Sequence, residues 1–250
     1  VKNQYFGDVN DYQKYGLLRA LQEDGSGRLL VAWMLTPNDG SRDGSLRSYL
    51  QDTERWGRYD PQLFDGLRAL LQPDAVPSVS LLEDAELLPR TDFFASTVPD
   101  SRQGRHAWRD DLFAAAKGAD LVFLDPDNGI EVASKPVGRA GSSKYVTWGE
   151  VEGLWSLGCS VLVYQHFRRE PRDAFARRLA GELGERTGAG YVEAFRTPHV
   201  LFLLAIQDRH VEQFRRAGAL LASRWGRQIY PMGLASTDSD HRGNDADPPG

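Results

Sequence analysis

Leu121-Val122-Phe123-Leu124-Asp125-Pro126-Asp127-Asn128-Gly129 is the stretch whose reading decides the fold. Four apolar residues run straight into Asp-Pro, which predicts a short strand buried on both faces, as in parallel sheets. Asp-Pro and Asn-Gly are turn formers, so the strand ends in a bend that carries two carboxylates and an amide. Outward from it, apolar runs at 29–35 and 161–164 predict further buried strands, and 79–82 and 93–96 weaker ones. Residues 191–195 and 200–206 are separated by Arg196, Thr197, Pro198 and His199, which predicts a hairpin. Between the strands, helical spacing appears at 11–23, 61–71, 101–117, 147–157, 172–183 and 211–223. Pro61 suits a first helical turn, and Thr147 with Glu150 forms a capping-box pattern. Strands alternating with helices predict an α/β fold with a mostly parallel sheet, ending in an antiparallel hairpin.

A length of 250 residues with 41% hydrophobic content suits one large core. The expectation is a single domain over 1–234. Residues 235–250 are rich in Asp, Ser, Gly and Pro, with alanine as the one hydrophobic type, and predict a disordered tail. The single cysteine, Cys159, excludes an intramolecular disulfide or a cysteine-built zinc site and fits a reducing cytoplasm. No apolar run reaches the roughly 18 residues of a membrane span, so no membrane partner is expected. The polar start, 1–11, does not read as a secretory signal. A net charge of −5 excludes general coating of nucleic acid. RNA or DNA binding would need a local patch. Arg168, Arg169, Arg172, Arg177 and Arg178 form one candidate, and Arg215, Arg216, Arg224 and Arg227 another; solvated helix surface explains either equally simply.

In open α/β sheets, ligands bind beyond the carboxyl ends of the strands. The segment Asp125-Pro126-Asp127-Asn128 falls there. Asp125 could accept a hydrogen bond from an amine, act as a base or bind a metal; a plain tight turn is the alternative. The start of the chain, residues 5–15, is dense in polar and aromatic groups. Asp8, Asp11 and Lys14 could cap a helix or, with Asp11 and Lys14 on one face, reach a ligand. The polar loop 36–44 follows the first strand but lacks the G-x-G-x-x-G spacing that cradles a dinucleotide. Gln165 and His166 close the strand at 161–164, where His166 could shuttle a proton. Residues 138–143 are a Gly-Ser stretch that could serve as a lid or be simply a loop.

Two segments together resemble the bacterial adenine-N6 methyltransferases of large-subunit ribosomal RNA. Phe6-Gly7-Asp8, Asp11 and Lys14-Tyr15 resemble that family's opening motif. Asp125-Pro126-Asp127-Asn128 stands where the family has Asp-Pro-Pro-Tyr. The likeness is one of part order over residues 5–206, with Asp127 in place of the second proline and Asn128 in place of the stacking tyrosine. It implies a Rossmann-like methyltransferase fold with S-adenosylmethionine as cofactor. Gly7, Asp11, Lys14, Asn38, Asp39 and Gly40 would touch the cofactor, and Asp125 and the Pro126 carbonyl would orient the target amine. Tyr145, Trp148 or Tyr164 could supply the absent ring. A second reading is a metal-dependent phosphodiesterase or nuclease, with Asp8, Asp11, Asp39, Asp43, Asp125 and Asp127 gathering Mg²⁺ or Mn²⁺. A non-catalytic binding module on the same fold is a third. On the first reading, Asp125→Ala is expected to abolish activity at little cost to stability.

Overall fold

The computed structural model of the chain describes residues 1–23, 27–40, 46–72 and 74–232. In chain order its elements are α1 (Val9–Leu21), β1 (Leu29–Ala32), α2 (Thr53–Trp56), α3 (Pro61–Leu70), α4 (Ser80–Asp84), β2 (Thr91–Phe94) and α5 (Arg102–Ala115). They continue with β3 (Leu121–Leu124), β4 (Gly129–Ile130), β5 (Tyr145–Val146), α6 (Trp148–Ser156), β6 (Ser160–His166) and α7 (Arg172–Thr187). The chain closes with β7 (Tyr191–Arg196), β8 (Val200–Ile206), α8 (Val211–Trp225) and β9 (Tyr230–Met232).

A seven-stranded sheet has the order β2-β1-β3-β6-β8-β7-β9. Strands β2, β1, β3 and β6 pair in parallel, while β8 runs antiparallel between β6 and β7. The architecture is therefore α/β with a mixed sheet, compatible with a Rossmann-like fold. Side chains alternate across the strands, and each face has its own core. Leu29, Val31, Phe123 and Leu162 pack with α1, α3 and α8. Leu30, Ala32, Val122, Leu124 and Val161 pack with α5, α6 and α7. Being covered on both faces, β1 and β3 are buried at every residue, which is why they read as unbroken apolar runs.

The helix starts follow their caps. Asp8 accepts from the Asp11 amide at α1, Asp60 from Leu63 at α3 and Ser101 from Gly104 at α5. Thr147 and Glu150 form the expected capping box. Two expectations change. Residues 80–82 belong to α4, with Val79 as its N-cap, rather than to a strand: Asn3 Oδ1 accepts from the Val79 amide at 3.1 Å, so a local turn meets the backbone's needs without a sheet partner. Strand β1 stops at Ala32 rather than Leu35, because Met34 turns into a left-handed backbone (φ 25°) that breaks the extended run. The proposed tail, 235–250, lies outside the described residues. Among the described residues no helix is long and apolar enough to cross a membrane.

From β1 the chain moves to β2 on one side and then returns to β3 on the other. This reversal leaves a crevice beyond the carboxyl ends of β1 and β3.

Candidate functional site

The Asp125 amide donates to the Ala32 carbonyl at 3.0 Å, extending the ladder between β1 and β3 by one step. That bond points the Asp125 side chain back under α1. Lys14 meets it there, its Nζ 2.7 Å from Asp125 Oδ2 and 2.8 Å from Asp11 Oδ1. Asp11 is held in turn by the Gly7 amide at 2.8 Å. Gly7 takes φ 80°, a conformation that lets the chain turn sharply into α1. All three charged side chains are buried, and Lys14 Nζ also lies 5.0 Å from the Tyr164 ring centroid.

Burial opposes the charge on Lys14, but Asp11 and Asp125 outweigh it and hold the ammonium well above the usual lysine range. Burial pushes the Asp125 carboxyl up, against the pull of Lys14. Burial and then the neighbouring Asp11 charge push Asp8 up to about 7. Tyr164 is raised mainly by burial and stays a phenol.

Over this network opens a crevice of about 370 Å³. Of the residues singled out from the sequence, Asp11, Lys14, Asp39, Asp125, Pro126, Asp127, Asn128 and His166 line it. Gly7, Asn38 and Gly40 do not. Gly7 turns the chain, while Asn38 Oδ1 accepts from the Gln4 amide and the Gly40 amide donates to Gln4 Oε1. The loop after β1 is stitched to the first residues of the chain. Lys2 Nζ lies 2.6 Å from Asp39, the Thr36 amide donates to the Val1 carbonyl at 2.9 Å, and Thr36 Oγ1 donates to Asp127 at 2.7 Å. Asp43 lies outside the described residues.

Two lining residues were missed from the sequence, Val1 and Lys2, whereas Tyr5, Asp8 and Asn10 line the crevice from within the stretch at 5–15. Lys2 precedes the motif at 5–15 and carries no spacing signal. Lys144 also lines the wall, as part of the segment that reaches across to Asn128, whose amide donates to the Lys144 carbonyl at 2.9 Å. Of the three candidate rings, Tyr164 lines the crevice, whereas Tyr145 and Trp148 do not. His166 lies on the rim with its ring exposed and edge-on to Tyr164. Gln165 is buried and clamps the turn, with Oε1 accepting from Ile130 and Nε2 donating to Asn128 and His166 carbonyls. Gly129 has φ 117°, and a Cβ there would collide with that clamp.

The stretch at 138–143 is pinned rather than loose. Asp100 accepts from Gly141 at 2.8 Å, Ser143 at 2.6 Å and the Ser142 hydroxyl at 3.2 Å. Among the described residues no cluster of His, Cys, Asp and Glu is arranged to hold a metal ion. The Lys14 ammonium occupies the place between Asp11 and Asp125 where a cation would bridge them. The expectation that Asp125→Ala would spare stability is also revised: the side chain is buried and neutralises Lys14, and its loss strands that charge. The chain matches no known family model and no curated protein.

Proposed function

We propose that the crevice is the site of an S-adenosylmethionine-dependent methyl transfer to an amine. The observation that carries this reading is the placement of Asp125–Asn128: they leave the carboxyl end of β3 at the point where strand order reverses, inside a crevice with an acidic wall. The antiparallel insertion of β8 between β6 and β7 supports the methyltransferase type of Rossmann fold. The volume lies within the range of ordinary ligand sites.

The donor set suits a ligand that carries positive charge beside a carboxylate. Asp8, Asp39 and Asp127 face the crevice, and the buried Oδ1 of Asn10 has no hydrogen-bond partner. These groups would take the ammonium and lie near the sulfonium, and Lys2 and Lys144 would take the carboxylate. The cofactor supplies an electrophilic methyl group. This chain's part is positioning. Lys14 fixes the Asp125 carboxylate in place, and the Pro126 carbonyl and Asp127 stand beside it as acceptors for a substrate amine. Tyr5 and His166 offer ring surface at the mouth. With its pKa near 7, Asp8 is the carboxylate best suited to receive a proton.

A nucleic-acid amine is the substrate class that the arginine pattern favours. Arg168, Arg169 and Arg172 are exposed just past His166, with Arg172 over the Phe167 ring at 4.9 Å. The second arginine patch is less available: Arg215 pairs with Glu212 and Arg224 with Glu23. A metal-dependent phosphodiesterase is the second reading, favoured by the carboxylates Asp8, Asp11, Asp39, Asp125 and Asp127 around one crevice. A non-catalytic binding module would use the same crevice without turnover.

Thermal unfolding with S-adenosylhomocysteine, and separately with Mn²⁺, tests the choice, since a ligand of the folded state raises the midpoint. A rise with S-adenosylhomocysteine that Asp127→Asn removes is expected. No rise, together with no heat on titration, would sink the methyltransferase reading. A rise with Mn²⁺ alone would favour the phosphodiesterase.

A further inference from the structure

A second cavity, of about 380 Å³, lies between α5 and the segment joining β4 to β5. It shares no wall residue with the crevice. Its cationic side is a single helical face. Arg102, Arg105 and Arg109 follow one another at intervals of three and four residues, with His106 beside them. Pro136 and Val137 give the cavity an apolar stretch of wall, beside Glu131, Thr147 and Glu150.

The charges in this wall do not balance locally. Arg105 is 4% exposed, and its Nε and Nη2 form a bidentate pair with Glu150 at 2.6 and 2.7 Å. Nη2 also donates to the Tyr145 carbonyl at 2.7 Å, so Arg105 anchors β5. Its Nη1 is buried without a hydrogen-bond partner. One turn on, the buried Nε of Arg109 has none either, and the only ion pair of Arg109 among the described residues is a 3.5 Å approach to exposed Asp110. Arg102 has no ion-pair partner among the described residues, and it packs on Gly138, where a Cβ would come within 3.1 Å of its Cγ and Nε. On the acidic side, Glu150 is committed to Arg105 and the Thr147 amide, and Glu131 Oε1 accepts from the Trp148 amide at 2.7 Å. Burying donors of a guanidinium without acceptors is costly unless a ligand supplies them.

We propose that this cavity is an anion site that takes a phosphate-bearing small ligand. The planar guanidinium fork matches phosphate oxygens; the forks of Arg102 and Arg109, two turns apart, flank the unpartnered Nη1 of Arg105, whose own fork is held by Glu150. The amino-terminal end of α5, a helix of 14 residues, adds its dipole at the Arg102 end. The apolar wall would meet the rest of the ligand. The cavity and the crevice are joined through β4 and β5: Glu131 follows β4, which leaves Asn128, and Arg105 holds the Tyr145 carbonyl of β5.

Isothermal titration of the full chain with inorganic pyrophosphate at low salt tests the proposal. Saturable binding at one site is expected. Arg102→Gln and Arg109→Gln, both on residues that reach the surface, should each weaken it by roughly tenfold while leaving the melting curve in place. Arg177→Gln on α7 should change nothing. Absence of saturable heat, unchanged affinity in both cavity variants, or an equal loss in Arg177→Gln would overturn the proposal.

Discussion

The two ends of β3 carry two polar networks that look alike and behave differently. At the carboxyl end, Asp125, Lys14 and Asp11 sit beneath a crevice of about 370 Å³. At the other end, Ser160 Oγ lies 2.9 Å from His210 Nδ1, and His210 Nε2 lies 3.3 Å from Asp120 Oδ1. The second set has the residue types of a hydrolytic triad. Yet Ser160 is completely buried, and its oxygen already accepts from the Gln207 amide at 3.0 Å. Its serine cannot be reached by a substrate, so this network ties β6 to the loop before α8. The difference teaches that a constellation of reactive groups is not a site until the fold leaves space over it.

Breaking the crevice network should have the largest effect. Lys14→Met leaves Asp11 and Asp125 buried without their counter-ion, and a loss of about 3–5 kcal/mol is expected in urea unfolding. A loss below about 1 kcal/mol would mean that the carboxylates are hydrated or protonated and that the ion pair is not the organiser.

Ser160→Ala tests the sealed end. It strips a partner from the Gln207 amide and from His210, for an expected loss of about 1–3 kcal/mol. The midpoint shift given by S-adenosylhomocysteine should be unchanged. A lost shift would show that the two ends are coupled and would erase the contrast.

The finest test is a pH slope at Asp8. Its carboxyl stands near 7 in the folded chain against an ordinary value of 3.8. Between those values the folded state keeps a proton that the unfolded state has released, so this group's contribution to stability falls as pH rises through that window. Asp8→Asn keeps a side-chain acceptor for the α1 cap and removes the titration. The variant should therefore gain on the parent as pH goes from 5 to 8. Parallel stability curves would place the proton elsewhere.

Much of this was legible beforehand. The run at 121–129, the hairpin, Pro61 in a first helical turn and the Thr147–Glu150 capping box marked their elements, because those signals are local in sequence. Asp125, Lys14 and Asp11 could be nominated singly. Their meeting could not, since Lys14 and Asp125 stand 111 residues apart. Residues 79–82 misled because a short apolar run is compatible with one helical turn as well as with a strand. The Arg105–Glu150 pair had no signature, since Arg105 reads as ordinary surface on an amphipathic helix and Glu150 as a capping-box residue.

The sequence alone determined the strands at the centre of the sheet and the closing hairpin, the buried character of β3 and the turn that follows it, because hydrophobic runs, turn dipeptides and caps act over a few residues. Only the tertiary structure decided which charged groups share a crevice, that Lys14 fills the place of a cation between two carboxylates, and that Ser160 is sealed while Asp125 lies under open space. Those outcomes depend on strand order and on the packing of α1 over the sheet, and both arise from long-range burial rather than from neighbours in the chain.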